Sequence, residues 1–474
     1  MGEDELMRRS SVLVIAIVFV SVVLCIPGAF AQDSGRSLSL KQAHRMALKH
    51  NYNLKNIHEV IKQADLQRYK AWALLLPNLS ASGSITMNDK EIRMDGYPDF
   101  EALIENSINE AISNAMGMPM PDAVPVAMGE GSVIQEKWDK QLGLTANMAI
   151  LNPRSIPLII NSYDNYEASQ LNGGHTRNEL LFAVTQTYYT VRSAKESLKV
   201  ALQDLQNADA FLELAKRRKK VGAATDLDVL RAEIEQIKAE ESKQNASDSL
   251  TLAKTALSYL TGMSGKFDIV EVETPEPVKG DLESLQARAL SDRKDLKSAF
   301  LQLEIVERNR AESWVKYLPS FDATYNYSWS EATGFSGEHD SWRLIFGARW
   351  SLFEGGSRIV EIMERSSQMV QTSNQVKQLK LDIKEQVETA KLQINKHKRN
   401  LLLANKQLVL AEDNHRRVQK RYEQGLATSL DVLDANTTLS KANMNVIFEK
   451  LQYELAVLKL NKSCGEYLPL AASK

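Results

Sequence analysis

Cysteine is almost missing from this chain: two occur in 474 residues, Cys25 and Cys464. Cys25 falls in a leader-like segment, so the remainder has no partner for an intrachain disulfide. An excess of either charge is missing too, with a formal net charge of −2, which gives no reason to expect nucleic acid, a partner that would require a basic stripe. Seven histidines are present, but none pairs at i, i+4 and none stands in an H-E-x-x-H context. Gly262-x-x-Gly265-Lys266 is too short for a phosphate loop and lacks the following Ser or Thr. No constellation for an enzyme, a metal or a cofactor emerges. After residue 31 no apolar run approaches the roughly 20 residues a membrane helix needs. Any later crossing of a bilayer would have to be made by β-strands.

The front of the chain reads differently. Met7-Arg8-Arg9 is followed by an apolar run from Val12 to Ile26, and Ala29-x-Ala31 follows that. This is the pattern of a signal peptide over 1–31, cleaved after Ala31. The run is short for an anchor helix, and Leu24 occupies the place where a small residue precedes a lipidated cysteine. An exported chain without disulfides must be held by packing or by oligomerisation.

The rest is written twice. Gly222-Ala-Ala224-Thr225-Asp-Leu227-Asp228-Val229-Leu230-Arg-Ala232 returns, 203 residues later, as Gly425-Leu-Ala427-Thr428-Ser-Leu430-Asp431-Val432-Leu433-Asp-Ala435. Ala47-Leu48, Leu54-Lys55 and Leu76-Pro77 match Ala289-Leu290, Leu296-Lys297 and Leu318-Pro319 at an offset of 242. The first half, 32–280, therefore carries about 40 residues that the second half, 281–474, lacks. They form an insertion over 89–137 rich in Met, Pro, Ala and Gly, with an amphipathic helix expected at Phe100–Met116. Two prolines, a glycine and four acids between Glu271 and Asp281 mark the linker.

Apolar residues at three- and four-residue spacing predict long helices over 155–220 and 357–424, as in Leu198, Leu202, Leu205, Phe211, Leu212 and Ala215, or Leu401, Leu408, Ala411 and Val418. Some 65 residues at about 1.5 Å each reach on the order of 100 Å, which argues for a coiled-coil-like assembly. Further helices are expected over 38–75, 225–260, 282–317 and 428–463. Four segments instead alternate with period two: 78–88, 138–151, 320–330 and 341–353. Phe321, Ala323, Tyr325, Tyr327 and Trp329 alternate with Asp322, Thr324, Asn326, Ser328 and Ser330. Such segments are strands with two unlike faces, and in an exported protein they fit a transmembrane barrel. Trp138, Trp329, Trp342 and Trp350 suit its aromatic girdles. The fold class is thus mainly α with a transmembrane β part. Four strands cannot close alone, because open edges would expose backbone donors and acceptors to hydrocarbon. Two copies would supply eight strands and three would supply twelve, and the pattern alone does not choose.

Strand pair, long helix, Gly-x-x-Thr tip and returning helix, all repeated, resemble the TolC-like outer-membrane efflux family. The resemblance runs from about Leu38 to Gly465. It rests on Leu76-Pro77, Leu318-Pro319, Leu352-Phe353-Glu354-Gly355-Gly356 and Tyr422-x-x-Gly425-x-x-Thr428-x-Leu430-Asp431-Val432-Leu433-Asp434-Ala435. It implies a homotrimer, with a twelve-strand barrel in outer-membrane lipid above a periplasmic helical tunnel. Such a duct passively serves tripartite efflux or type I secretion and docks a periplasmic adaptor (membrane fusion) protein and an inner-membrane transporter. The alternative reading is a periplasmic coiled-coil adaptor or scaffold without a pore. After strand two, Asn152-Pro153-Arg154 departs from the expected Gly-Gly.

The tips carry the expected site. Thr225-x-x-Asp228 and Thr428-x-x-Asp431 resemble capping boxes. Asp431 and Asp434, at i, i+3, share a helix face and in a trimer would form two carboxylate rings at a constriction; the resemblance places aspartates there. Asp228 and Arg231 hold the matching places in the first half. By resemblance, Tyr422 and Asp228 help hold the tip closed, with Ala427 where an arginine can stand. Val221, Gly222, Ala223 and Thr225, with Gly425, Leu426 and Thr428, are the expected adaptor-docking residues.

Overall fold

A computed structural model describes residues 36–94, 99–127, 132–331 and 338–465; the signal peptide expected over 1–31 lies outside them. The elements are β1 Arg36–Leu38, α1 Leu40–His50, α2 Tyr52–Ala73, β2 Asn78–Met87, β3 Ile92–Met94, α3 Phe100–Met116, β4 Ser132–Gln135, β5 Trp138–Leu151, α4 Ser155–Lys220, α5 Asp226–Thr261, β6 Phe267–Ile269, α6 Leu282–Asp292, α7 Lys294–Val315, β7 Ser320–Ser330, β8 Asp340–Arg349, α8 Ser357–Glu423 and α9 Ser429–Ser463. Helix dominates. No helix among the described residues is long and apolar enough to cross a membrane.

The contacts divide the chain into two compact units. One comprises residues 51–183, 275–406 and 452–474. It holds a four-stranded antiparallel sheet in the order β2-β5-β7-β8. Its register gathers the alternate apolar residues on one face, because cross-strand partners share a face. One rung runs Leu79, Ala146, Tyr325, Leu344; the next runs Ala81, Leu144, Tyr327, Trp342. The opposite face carries Ser80, Thr145, Asn326 and Arg343 on one rung, with Thr145 Oγ1 donating to Asn326 Oδ1 at 3.0 Å. The apolar face is open: Leu79 is 72% exposed and Phe346 72%. Among the described residues β2 and β8 each have one neighbour.

The helices of this unit bury Leu285, Ala289 and Leu296 from α6 and α7 against Val376, Ile383, Val387, Ala390 and Ile394 of α8, Ala456, Val457 and Leu460 of α9, and Cys464 just after it. The α8 contributors recur at heptad-like intervals, as helices packed lengthwise require. The second unit comprises residues 1–50, 184–274 and 407–451. Here β1 and β6 pair in parallel, and the buried Tyr188 hydroxyl donates to the carbonyls of Leu38 and Val270.

Three sequence expectations need correction. The helix expected over 38–75 is two helices, because Asn51 turns extended and its side chain accepts from the Leu54 amide. The helix expected over 282–317 breaks at Arg293, also extended, whose guanidinium forks onto Asp295. The strand expected over 341–353 ends at Arg349, because its partner β7 starts at Ser320, directly after Pro319, and the ladder has nothing further to pair with. The Asn152-Pro153-Arg154 turn solves its geometry without glycine. Asn152 Oδ1 accepts from the Arg154 amide, and its carbonyl accepts from the amide and hydroxyl of Ser155, an Asx-type turn.

Candidate functional site: the hairpin tips

Each tip begins where a long helix must stop. Gly222 (φ 76°) and Gly425 (φ 78°) take the left-handed conformation that ends α4 and α8. The Ala223 amide then reaches back to the Arg218 carbonyl and the Leu426 amide to that of Arg421, each at 2.8 Å. The returning helices start with matching boxes. Thr225 donates from its amide and hydroxyl to Asp228 Oδ2 at 2.9 and 2.8 Å, and its hydroxyl accepts from the Asp228 amide at 3.2 Å. Thr428 and Asp431 repeat this at 2.8, 2.7 and 3.3 Å. Each box satisfies helix-end donors that would otherwise lack partners.

A small core sits behind the tips, made of Phe211, Leu212, Ala215, Ala232, Tyr422 and Val432. Tyr422 is buried, with its ring centroid 5.5 Å from that of Phe211. The Arg218 guanidinium lies 4.5 Å from the Tyr422 ring centroid and donates to the Tyr422 carbonyl. Ser429 donates its hydroxyl to Asp228 Oδ1. The two tips are thus joined by the Arg218 guanidinium, by the Ser429–Asp228 hydrogen bond and by the apolar core behind them.

The electrostatics follow. The Ser429 hydroxyl, then the Thr225 amide and hydroxyl, hold the Asp228 carboxyl below the usual range, and Arg231 adds to this. The Thr428 amide and hydroxyl do the same for Asp431. Burial pushes the Tyr422 phenol up, against the opposing charge of Arg218. Asp431 and Asp434 are both exposed, as are Val221 at 78% and Leu426 at 65%.

The structure therefore brings Tyr422, Asp228 and Arg231 together with the first box, and leaves Asp431 and Asp434 facing outward. It adds Arg218 and Ser429, which sequence reasoning passed over. Arg218 sits in the run Arg217-Arg218-Lys219-Lys220 at a helix C-terminus, where cations are expected for the helix dipole alone. No cluster of three or more metal-ligating side chains occurs among the described residues. The tips offer charge and exposed apolar surface.

A family model for outer membrane efflux proteins matches residues 161–263 and 285–466, well over half of the chain. This chain belongs to the outer membrane efflux protein family. The outer membrane protein TolC of Vibrio cholerae is 25% identical over 305 residues, covering 61% of this chain and 68% of that protein. The probable efflux pump outer membrane protein TtgC of Pseudomonas putida is 24% identical over 396 residues, covering 80% and 81%. Among solved structures, CusC superposes with a TM-score of 0.73 at 16% identity, over 92% of this chain and 96% of that one. The open-state MtrE channel of Neisseria gonorrhoeae gives 0.70 at 17% identity, over 90% and 89%. As an outer membrane efflux protein, the chain is a channel component of the outer membrane with a periplasmic extension. None of these relatives favours the pore-less adaptor.

Proposed function

We propose that three copies of this outer membrane efflux protein close one twelve-strand barrel on a periplasmic tunnel of helices, a passive exit duct opened at its tips. One observation carries this reading: a four-stranded sheet with one apolar face, one polar face and two unpaired edges. In hydrocarbon each unpaired backbone group costs several kcal/mol. Closure through copies removes both edges, and twelve strands leave room for a lumen. Ten-residue β2, at about 3.4 Å per residue and tilted by about 45°, spans close to the ~25 Å apolar band of such barrels. The apolar rungs then face lipid and the Ser, Thr and Asn rungs face water. After the signal peptide, 32–280 and 281–474 are two copies of one unit, each supplying two strands and one tip.

At the periplasmic end, Asp431 and Asp434 of three copies make two rings of carboxylates, a constriction that attracts cations. Tyr422, Asp228 and Arg231 hold the closed arrangement, with Arg218 supplying the arginine that Ala427 does not. Val221, Gly222, Ala223, Thr225, Gly425, Leu426 and Thr428 form the surface offered to a periplasmic adaptor, through which an inner-membrane transporter acts. The relatives whose names give a role serve efflux pumps.

Native mass in detergent tests the closure, with three chains expected; a single water-soluble chain overturns the reading. Single-channel recording tests the rings: Asp431→Ala with Asp434→Ala is expected to abolish most of the cation preference, and unchanged selectivity removes these residues from the gate.

A further inference from the structure

The contacts that join the two hairpins of one copy have counterparts that can be followed to the next copy. Residues 203 positions apart hold the same place in the two tips, since the left-handed glycines, the amides that reach back and the Thr–Asp boxes all coincide at that offset. Within the copy, Arg218 lies over the Tyr422 ring, Phe211 packs against the same ring, and Asp228 accepts from the Ser429 hydroxyl. In each case the first hairpin reaches the second. A closed ring of hairpins repeats this step from the second hairpin of one copy to the first hairpin of its neighbour. There Arg421 takes the place of Arg218, Asn414 that of Phe211 and Asp431 that of Asp228. Facing them, Lys219 takes the place of Tyr422 and Asp226 that of Ser429.

None of the three contacts survives the exchange. Arg421 meets an ammonium in place of an aromatic face, Asn414 meets that same lysine in place of a ring, and Asp431 meets a carboxylate in place of a hydroxyl. Like charges set against each other oppose association. Tyr422 and Ser429 are each 4% exposed, whereas Lys219 and Asp226, at the same places in the first tip, are exposed. Lys219 pairs with Asp226 inside its own tip, and Asp431 is held by its own Thr428, so neither side needs the other. We infer that the ring parts between copies and not within them: the two hairpins of a copy move as one body, and the three joints between copies are where the duct opens. The inference rests on the three-copy closure above and names the seam at which that duct is opened.

The test rebuilds the joint of one copy at the seam between two. Lys219→Tyr with Asp226→Ser sets a ring before Arg421 and a hydroxyl before Asp431. In planar bilayers the protein carrying both is expected to spend several-fold less time in its high-conductance state than the unaltered protein. Adding Arg421→Ala is expected to restore that time; an unchanged or longer open time in the two-residue variant overturns the inference. Asp226→Cys with Asp431→Cys gives a second reading, because Cys464 is fully buried and the introduced thiols are the ones that react. Oxidation with copper phenanthroline is expected to link separate chains and to hold the channel shut until reductant is added. A preparation with the mass of three chains that forms no such link, or that opens equally well once linked, overturns the inference and leaves the barrel standing. A mass of one chain overturns the three-copy closure as well.

Discussion

The two tips are built from the same turn and the same box, yet one of them does more. At each, a left-handed glycine ends the long helix and a Thr–Asp pair starts the next. The first tip also supplies the contacts that join the pair: Arg218 reaches Tyr422, and Asp228 takes a third donor, the Ser429 hydroxyl. Asp431 keeps to its own cap and, with Asp434, faces outward. The difference teaches that identical caps can carry unlike duties. One carboxylate is spent on holding the pair together and the other is left to the solvent.

The largest way to break this asymmetry is Arg218→Ala. It removes a guanidinium from an aromatic face and a charged donor from a carbonyl, and is expected to cost the local closing of the tip about 2–3 kcal/mol. Amide hydrogen exchange at Gly425 and Leu426 reads this loss, and Arg421→Ala is expected to leave both amides unchanged. Next in size, Gly222→Ala and Gly425→Ala each force a side chain into the left-handed region, at about 1–2 kcal/mol. The two are expected to shift thermal unfolding alike, because the turns are alike; unequal shifts would mean that the tips differ in backbone and not only in contacts. Third, Asp228→Ala should destabilise more than Asp431→Ala, by about the 1 kcal/mol of one hydrogen bond. In a Ser429→Ala background that excess should vanish, a double-mutant cycle on the Asp228–Ser429 bond.

The smallest effect is that of pH. Asp228 and Asp431 are both held below the ordinary carboxylate value of 3.8. Their contribution is therefore fully present above that value and is lost as pH falls through the lower folded values. Tip stability, followed by the same exchange measurement, is expected to be flat between pH 7 and pH 5. A marked loss within that window would assign the closing of the tip to some other group.

Much of this was written in the sequence, because the signals were periodic. Alternation in Leu79 to Met87 and in Phe321 to Ser330 announced strands with unlike faces, and the register follows from keeping those faces matched. The boxes were legible from Thr-x-x-Asp. What escaped lacked period or punctuation. Asn51 and Arg293 break helices with ordinary residues, since extended backbone at a single position needs neither glycine nor proline. The β1–β6 pair is three residues per strand, too short to show alternation. Arg218 was hidden by its neighbours, for a basic run at a helix end already has a sufficient local reason. Ser429 was hidden by its neighbour, since Thr428 takes the capping position and leaves the Ser429 hydroxyl for Asp228.

The unpaired edges of β2 and β8 also bear on kinetics. A wall divided among separate chains has no unimolecular route to completion, so under the proposed closure the appearance of the barrel depends on how often copies meet, and dilution delays it. The helical cores, whose buried partners all belong to one polypeptide, carry no such dependence. A slow, concentration-dependent phase followed by strand signals, alongside a fast helical phase indifferent to dilution, is the signature this division of labour leaves on refolding.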